Sequence, residues 1–218
     1  MTETSIQSDH YSDYFHALQP IFNIELGKNV AYEIQFKEGV GDGHGKNTSE
    51  IDQEYRKRAL SVAVNMKLEG SINMQFSPQA IVFENGRYVF ELLDHAKTIG
   101  FNLKKLVIEI NEGDLIYDAA LLMVLLNDFR RHGVKVAIDD FGAGYAGLNL
   151  LANIIPDFVR VHGMLLTDVD TNGAKLSIVR AISQVCLDLG IEIIAKGVKT
   201  QGEFKSLRKL GIVLYHIQ

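Results

Sequence analysis

The chain alternates short apolar runs with amphipathic segments, and glycines fall just beyond the amphipathic ones. Residues 106–110 (Leu-Val-Ile-Glu-Ile) read as a buried strand. Residues 134–138, 158–161, 191–195 and 212–215 read as further strands. Helical spacing covers residues 121–131, 147–153, 176–189 and 201–210, with Gly133, Gly190 and Gly211 as stops after three of them. Strands alternating with helices imply a parallel sheet. Nearer the start, residues 14–24 and 30–36 flank the turn Leu26-Gly27-Lys28-Asn29 and read as a hairpin. A helix over 49–67 and a strand over 71–74 follow. About eight strands predict a closed α/β barrel of the TIM-like (β/α)8 kind with an antiparallel first strand. An open doubly wound sheet is the alternative. No Gly-x-Gly-x-x-Gly opens a helix after a strand, so dinucleotide binding has no support. Residues 39–45 are glycine-rich and predict a mobile loop. Without repeats or a Pro/Ser-rich linker, the organisation is a polar segment, 1–13, and one barrel domain, 14–218.

The 218 residues, close to half of them hydrophobic, suffice for one sizeable core and not for two. A net charge of −5 gives no support to coating nucleic acid or an anionic membrane, and no DNA contact is predicted. An anionic ligand would have to be met by local charges or by a metal. Cys186 is the single cysteine, so no intramolecular disulfide can form, and its apolar helical setting predicts a buried structural thiol. Residues 1–10 lack a basic stretch followed by an apolar one. No run approaches the roughly 18 apolar residues of a membrane span. The expectation is a soluble cytoplasmic protein.

Chemistry concentrates in Ala137-Ile138-Asp139-Asp140-Phe141-Gly142-Ala143-Gly144, where an apolar run gives way to a glycine-rich loop. Adjacent carboxylates within a strand point to opposite faces. At a strand end both can converge on one site and bind two hard cations, or one cation and a water. In a barrel, functional groups collect at the C-terminal ends of the strands. Here those ends carry Glu33, Asn73, Glu109 and Asp139-Asp140. Glu109, flanked by Ile108 and Ile110, is the sharpest case, because a charge in an apolar strand is costly unless paired or metal-bound. Singly, each reads equally well as an inward carboxylate satisfied by Lys or Arg. Together these oxygens favour Mg²⁺ or Mn²⁺.

The same residues carry a resemblance to the EAL-domain family, the bacterial cyclic di-GMP phosphodiesterases and their degenerate relatives. Gln19-Pro20-Ile21 resembles the family's opening strand, and Tyr32-Glu33-Ile34-Gln35-Phe36-Lys37 its name-giving motif. In that motif Ile34 and Gln35 replace Ala and Leu, and Lys37 stands where a phosphate-contacting Arg is usual. Ile72-Asn73 is similar to the metal-binding Asn segment, and Glu109-Ile110-Asn111-Glu112 to the Glu-x-Thr-Glu segment. The stretch from Asp139 to Leu148, with Pro156-Asp157 after it, follows the family closely. The resemblance implies that Glu33, Asn73, Glu109 and Asp139 hold one metal and Asp139 with Asp140 a second. Two metals would clamp the phosphodiester and activate a water, giving the linear dinucleotide pGpG. It places Gln19, Gln35, Lys37, Asp140, Phe141, Gly142, Lys196 and His216 near the nucleotide, and gives Glu112 and Lys199 the support of loops.

Departures from the family fall on the catalytic positions. Arg160 stands for a lysine that orients or activates water, and His162 for an aspartate. Arginine keeps the charge but, with a pKa above about 12, cannot act as a base. Ala195-Lys196-Gly197-Val198-Lys199-Thr200 replaces Ala-Glu-Gly-Val-Glu-Thr, so both glutamates have become lysines. Beside a bound cation an ammonium is repelled by about 4 kcal/mol per unit-charge pair at roughly 4 Å and an effective dielectric near 20. Lys196 is therefore expected to replace a cation, pairing with Asp139, Asp140 or Glu109. The family continues past this last strand with Gln-Gly-Tyr and a closing helix. Here the chain ends at Gln218; His216 takes the Gln position by simplest spacing and Gln218 in a shifted register, and a flank left uncovered at the C-terminal end is the expectation. The resemblance thus implies a degenerate domain, impaired in hydrolysis, that binds cyclic di-GMP or a protein partner and dimerises as relatives often do. The alternative is an active Mg²⁺- or Mn²⁺-dependent phosphodiesterase.

Overall fold

In the computed structural model, residues 15–36, 48–144 and 147–217 are described. The sheet begins with a hairpin of β1 (Phe15–Asn23) and β2 (Lys28–Phe36). Asn23 drives the reversal: its Oδ1 accepts from the N–H groups of Glu25 at 2.9 Å and Leu26 at 3.0 Å. The turn therefore spans residues 24–27, two positions earlier than the pattern predicts. So short a link forces β1 and β2 antiparallel, because a parallel pair needs a long crossover.

From there the chain alternates strand and helix. The order is α1 (Thr48–Asn65), β3 (Ser71–Gln75), α2 (Pro78–Val82), α3 (Arg87–Thr98), β4 (Leu106–Asn111), α4 (Ala119–Arg131), β5 (Lys135–Phe141) and α5 (Gly147–Ile154). Then come β6 (Phe158–Val161), α6 (Gly163–Leu166), α7 (Gly173–Leu189), β7 (Glu192–Lys196), α8 (Gln201–Lys209) and β8 (Leu214–His216). Strands β2 to β8 pair in parallel in chain order. The free edge of β1 pairs antiparallel with β8 and closes the barrel. The expected eight-stranded EAL-type barrel with an antiparallel first strand is the observed one, and the open doubly wound sheet is excluded.

Helix ends follow side-chain chemistry that hydrophobic spacing does not record. Asp118 caps α4 by accepting from the N–H of Leu121, which starts that helix two residues before its apolar stripe. Asn172 does the same for α7, and Gly190 ends α7 with a left-handed conformation. Helices α2 and α3 are not among the predicted elements. Yet α3 buries Tyr88, Val89, Leu92, Leu93 and Ala96, a helical stripe visible in the sequence.

Strand alternation separates two apolar regions. Leu106, Ile108 and Ile110 of β4 face the helix layer and join the main core, whereas Glu109 between them faces the barrel interior. Ile21, Ala31, Ile194 and Leu214 fill the interior at the N-terminal end of the parallel strands. A cavity of about 270 Å³ opens there, with Lys135, Phe158 and Glu192 in its wall. Asn73 also lines it, so it approaches the carboxylate cluster from below, but Glu33, Glu109 and Asp139 are not in its wall. Cys186 is buried, as expected, and burial pushes its thiol up to about 11. Among the described residues no helix is long and apolar enough to cross a membrane. Segment 1–13, the loop 39–45 and Lys37 lie outside the described residues.

The end of β5 sets up the site. Pairing of β5 with β6 is irregular between Ile138 and Phe141, and Asp140 within that interval takes a φ of 53°. Such a conformation is uncommon for a residue with a side chain and marks a functional or strained position. It turns two adjacent carboxylates toward the same rim. Gly142 follows with a φ of 90°, and a Cβ there would meet Leu165 Cδ1 at 2.1 Å. Gly142→Ala is expected to destabilise the fold by roughly 1–3 kcal/mol through overpacking and backbone strain. Urea midpoints check this; an unchanged midpoint would mean that Leu165 yields without cost.

Candidate functional site

Seven strands each send a polar side chain into one end of the barrel: Glu33 from β2, Asn73 from β3, Glu109 from β4, Asp139 from β5, Arg160 from β6, Lys196 from β7 and His216 from β8. Strand register puts Glu33 beside Asn73 and Lys196 beside His216. Carboxylate oxygens of Glu33, Glu109 and Asp139 lie within 4.8 Å of one another, a spacing that could hold a metal ion. All three carboxylates are buried.

Arg160 stands among them. Its side chain is fully buried and crosses the barrel interior. One terminal nitrogen donates to Glu33 Oε2 at 2.7 Å and lies 3.5 Å from Asp139 Oδ1. The other donates to Glu109 Oε1. Asn73 Nδ2 donates to the same Glu109 oxygen at 2.7 Å. A second cation sits nearer the rim, where Lys196 Nζ donates to Asp140 Oδ1 at 2.7 Å and lies 3.6 Å from Asp139 Oδ2. Lys196 thus takes two of its three expected partners, Asp139 and Asp140. Glu109 is held instead by Arg160. His216 Nε2 lies 2.9 Å from Glu33 Oε2, at ion-pair distance but without hydrogen-bond alignment.

The electrostatics follow from one guanidinium facing three carboxylates. Burial opposes the charge on Arg160, but Glu109, Asp139 and Glu33 hold it above its ordinary value, so the guanidinium stays charged. Burial pushes the Glu109 carboxyl up to about 7; Arg160 opposes this, and the like charges of Asp139 and Glu33 add to it. Burial also raises Glu33, yet His216, Arg160 and Lys196 bring it below its ordinary value. Asp140 is raised by burial and lowered more by Lys196. Lys196 is lowered by burial and raised more by Asp139 and Asp140.

An all-oxygen set of this kind suits a hard cation, and two acceptors, Asn73 Oδ1 and Glu109 Oε2, are buried without a hydrogen-bond partner. The guanidinium nevertheless fills the triad and would repel a divalent ion. With Arg160 in place the residues do not fit a metal.

Loops at the rim are held by buried carboxylates. Glu112 accepts from the N–H of Gly142 and, at 2.8 Å, of Gly147, so it braces both ends of the glycine-rich loop. Asn111 Nδ2 donates to Asp140 Oδ2 at 3.0 Å. After β7, Lys199 exposes its side chain, while its backbone N–H donates to Glu203 Oε2 at 2.8 Å. Glu203 also accepts from the N–H groups of Thr200 and Asp168, tying two rim loops together. Sequence reading missed both Asn111 and Glu203. The Thr-x-x-Glu capping box at Thr200 was the signal for the second; the place of Asn111 at the Thr position of the Glu-x-Thr-Glu segment was the signal for the first. Phe141 is buried in the core, and Gln19 is half-buried opposite Glu33. Gln35 pairs in β2 with Ala17 of β1. His162 caps α6, its Nδ1 accepting from the N–H of Met164 at 3.2 Å.

The EAL domain model matches residues 47–216. The chain belongs to the EAL domain family. Among solved EAL barrels, the manganese and cyclic di-GMP complex of Klebsiella pneumoniae BlrP1 superimposes with a TM-score of 0.86 at 28% identity, over 94% of this chain and 54% of that one. A standalone EAL protein from Vibrio cholerae in its cyclic di-GMP-bound form gives 0.83 at 27% identity, over 94% and 89%. The blue light- and temperature-regulated antirepressor BluF of Escherichia coli is 28% identical over 94% of this chain. The chain spans 52% of BluF's length. The matched EAL segment leaves out the hairpin that carries Glu33.

A raised folded-state pKa for Glu109 means the folded chain holds a proton that the unfolded chain releases. The stability this contributes is present in full below the ordinary value of 4.5 and is lost as pH rises through about 7. Stability against denaturant is expected to fall as pH rises between these values, and Glu109→Gln to flatten the slope. Glu112→Ala should cost about 1–3 kcal/mol for each N–H left unpaired. Amide exchange at Gly142 and Gly147 should quicken with it, and unchanged exchange would remove Glu112 from the bracing role.

Proposed function

We propose that this EAL barrel is a catalytically silent regulator in cyclic di-GMP signalling, acting by binding and not by hydrolysis. The observation that carries the reading is the pairing of Arg160 and Lys196 with the carboxylates that a hydrolytic EAL site would give to cations. Neither cation can replace the lost chemistry. Arg160 cannot deprotonate a water, and Lys196 is held in its protonated form by Asp139 and Asp140.

A protein partner is the favoured target. Even with Glu109 partly protonated near neutral pH, Glu33, Asp139 and Asp140 outnumber Arg160 and Lys196, which makes the cluster a poor seat for the two phosphates of a cyclic dinucleotide. BluF, similar over nearly the whole chain, is by its name an antirepressor, a function exerted on another protein. Binding of cyclic di-GMP is the second reading. It draws on the ligand-bound BlrP1 and Vibrio cholerae barrels and on Lys196, whose side chain remains 19% exposed at the rim.

Calorimetric titration with cyclic di-GMP, with and without Mg²⁺ or Mn²⁺, tests this while chromatography follows the product. No pGpG is expected from the unaltered chain. The double change Arg160→Lys with Lys196→Glu restores the family's residues and is expected to raise hydrolysis. Metal-dependent pGpG from the unaltered chain would establish the active phosphodiesterase instead. Heat on titration without product would move the target from a protein to the nucleotide.

A further inference from the structure

We infer that Arg160 and a divalent cation are mutually exclusive occupants of the Glu33–Glu109–Asp139 triad, the guanidinium being the resident that frees this barrel from metal. This deepens the reading of the chain as catalytically silent and rests on it.

Three observations carry the inference. Arg160 reaches all three carboxylates from β6, donating across the barrel to Glu33 and two strands away to Glu109, and lying 3.5 Å from Asp139 on the adjacent strand. Its planar fork permits this; a lysine ammonium is a point charge without that reach. The cluster also keeps acceptors that Arg160 does not satisfy. Asn73 is 1% exposed, and its Nδ2 donates to Glu109 while its Oδ1 has no partner. Glu109 Oε2 is likewise buried and unpartnered. These are oxygens that a cation would use and a guanidinium leaves idle. Finally, Arg160 Nε is itself unpartnered, so the guanidinium occupies the triad without using all its donors. A set made for oxygen coordination, filled by an organic cation that fits it incompletely, should accept a metal once that cation is removed.

The test uses the whole chain and reads metal binding directly. Mn²⁺ is titrated by electron paramagnetic resonance, and thermal unfolding is followed in Mn²⁺ and in EDTA. The unaltered chain is expected to hold no Mn²⁺ and to melt identically in both. Arg160→Ala should bind Mn²⁺ about tenfold more tightly or better once the guanidinium is gone from the triad, Lys196 remaining 3.6 Å from Asp139 at the rim. It should melt higher in Mn²⁺ than in EDTA. Arg160→Lys keeps a charge without the fork and should show a smaller gain. An alanine variant that folds only with Mn²⁺ supports the inference equally. Variants that fold and ignore Mn²⁺ overturn it, as does an alanine variant that Mn²⁺ fails to rescue. Mn²⁺ bound by the unaltered chain and lost in Glu109→Gln overturns it too. If that binding yields no pGpG, the regulatory reading stands without the exclusion. A metal-blind chain with neither a protein nor a nucleotide target would leave the exclusion and remove the regulator.

Discussion

Three carboxylates buried inside a barrel must find a countercharge, and that requirement organises this molecule. Glu33, Glu109 and Asp139 are buried on three strands, Glu109 between Ile108 and Ile110. Left uncompensated, each would carry a desolvation penalty of several kcal/mol. Arg160 supplies the compensation from β6, with residues 127 and 51 positions away in the chain. An ion pair of this kind adds little net stability compared with an apolar core, yet breaking it by removing one partner is costly. Its consequence is therefore commitment. The interior is tied across its width, and the carboxylates are engaged before any ligand arrives.

Around this centre the rim is built from backbone held by carboxylates. The irregularity at the end of β5 and the left-handed Asp140 bring adjacent carboxylates to one side. Lys196 and Asn111 fix Asp140, and Glu112 fixes the loop that follows. Glu203 binds the loop after β7 to the residues entering α7. A strained residue persists where its surroundings over-determine it, and here the surroundings are charge-assisted hydrogen bonds. Carboxylates and cationic side chains therefore meet at one end of the barrel. Relatives in this EAL family include both a manganese- and nucleotide-bound barrel and an antirepressor.

The sequence by itself determined the barrel. Alternating apolar runs and helical stripes place all eight strands and most helices, because burial on one face leaves a periodic record. The short link after Asn23 dictates the antiparallel start, and the carboxylates at strand ends mark the site before any coordinates exist. Glu109 between Ile108 and Ile110 already poses its own question, a metal ligand or a partner for an arginine. Helix starts at Asp118 and Asn172 were less legible, since a cap is a hydrogen bond and not a hydrophobic period.

Tertiary structure decided which cation answers which carboxylate. Local sequence shows that Arg160 and Lys196 replace other residues; it does not show where their side chains end. A guanidinium reaches across the barrel only if β6 faces β2 and β4 at the same height, which closure and register establish together. The same dependence explains why Lys196 meets Asp140 and Asp139 but leaves Glu109 to Arg160. Coulomb energy falls with separation, and separation between residues more than fifty positions apart is a property of the fold alone.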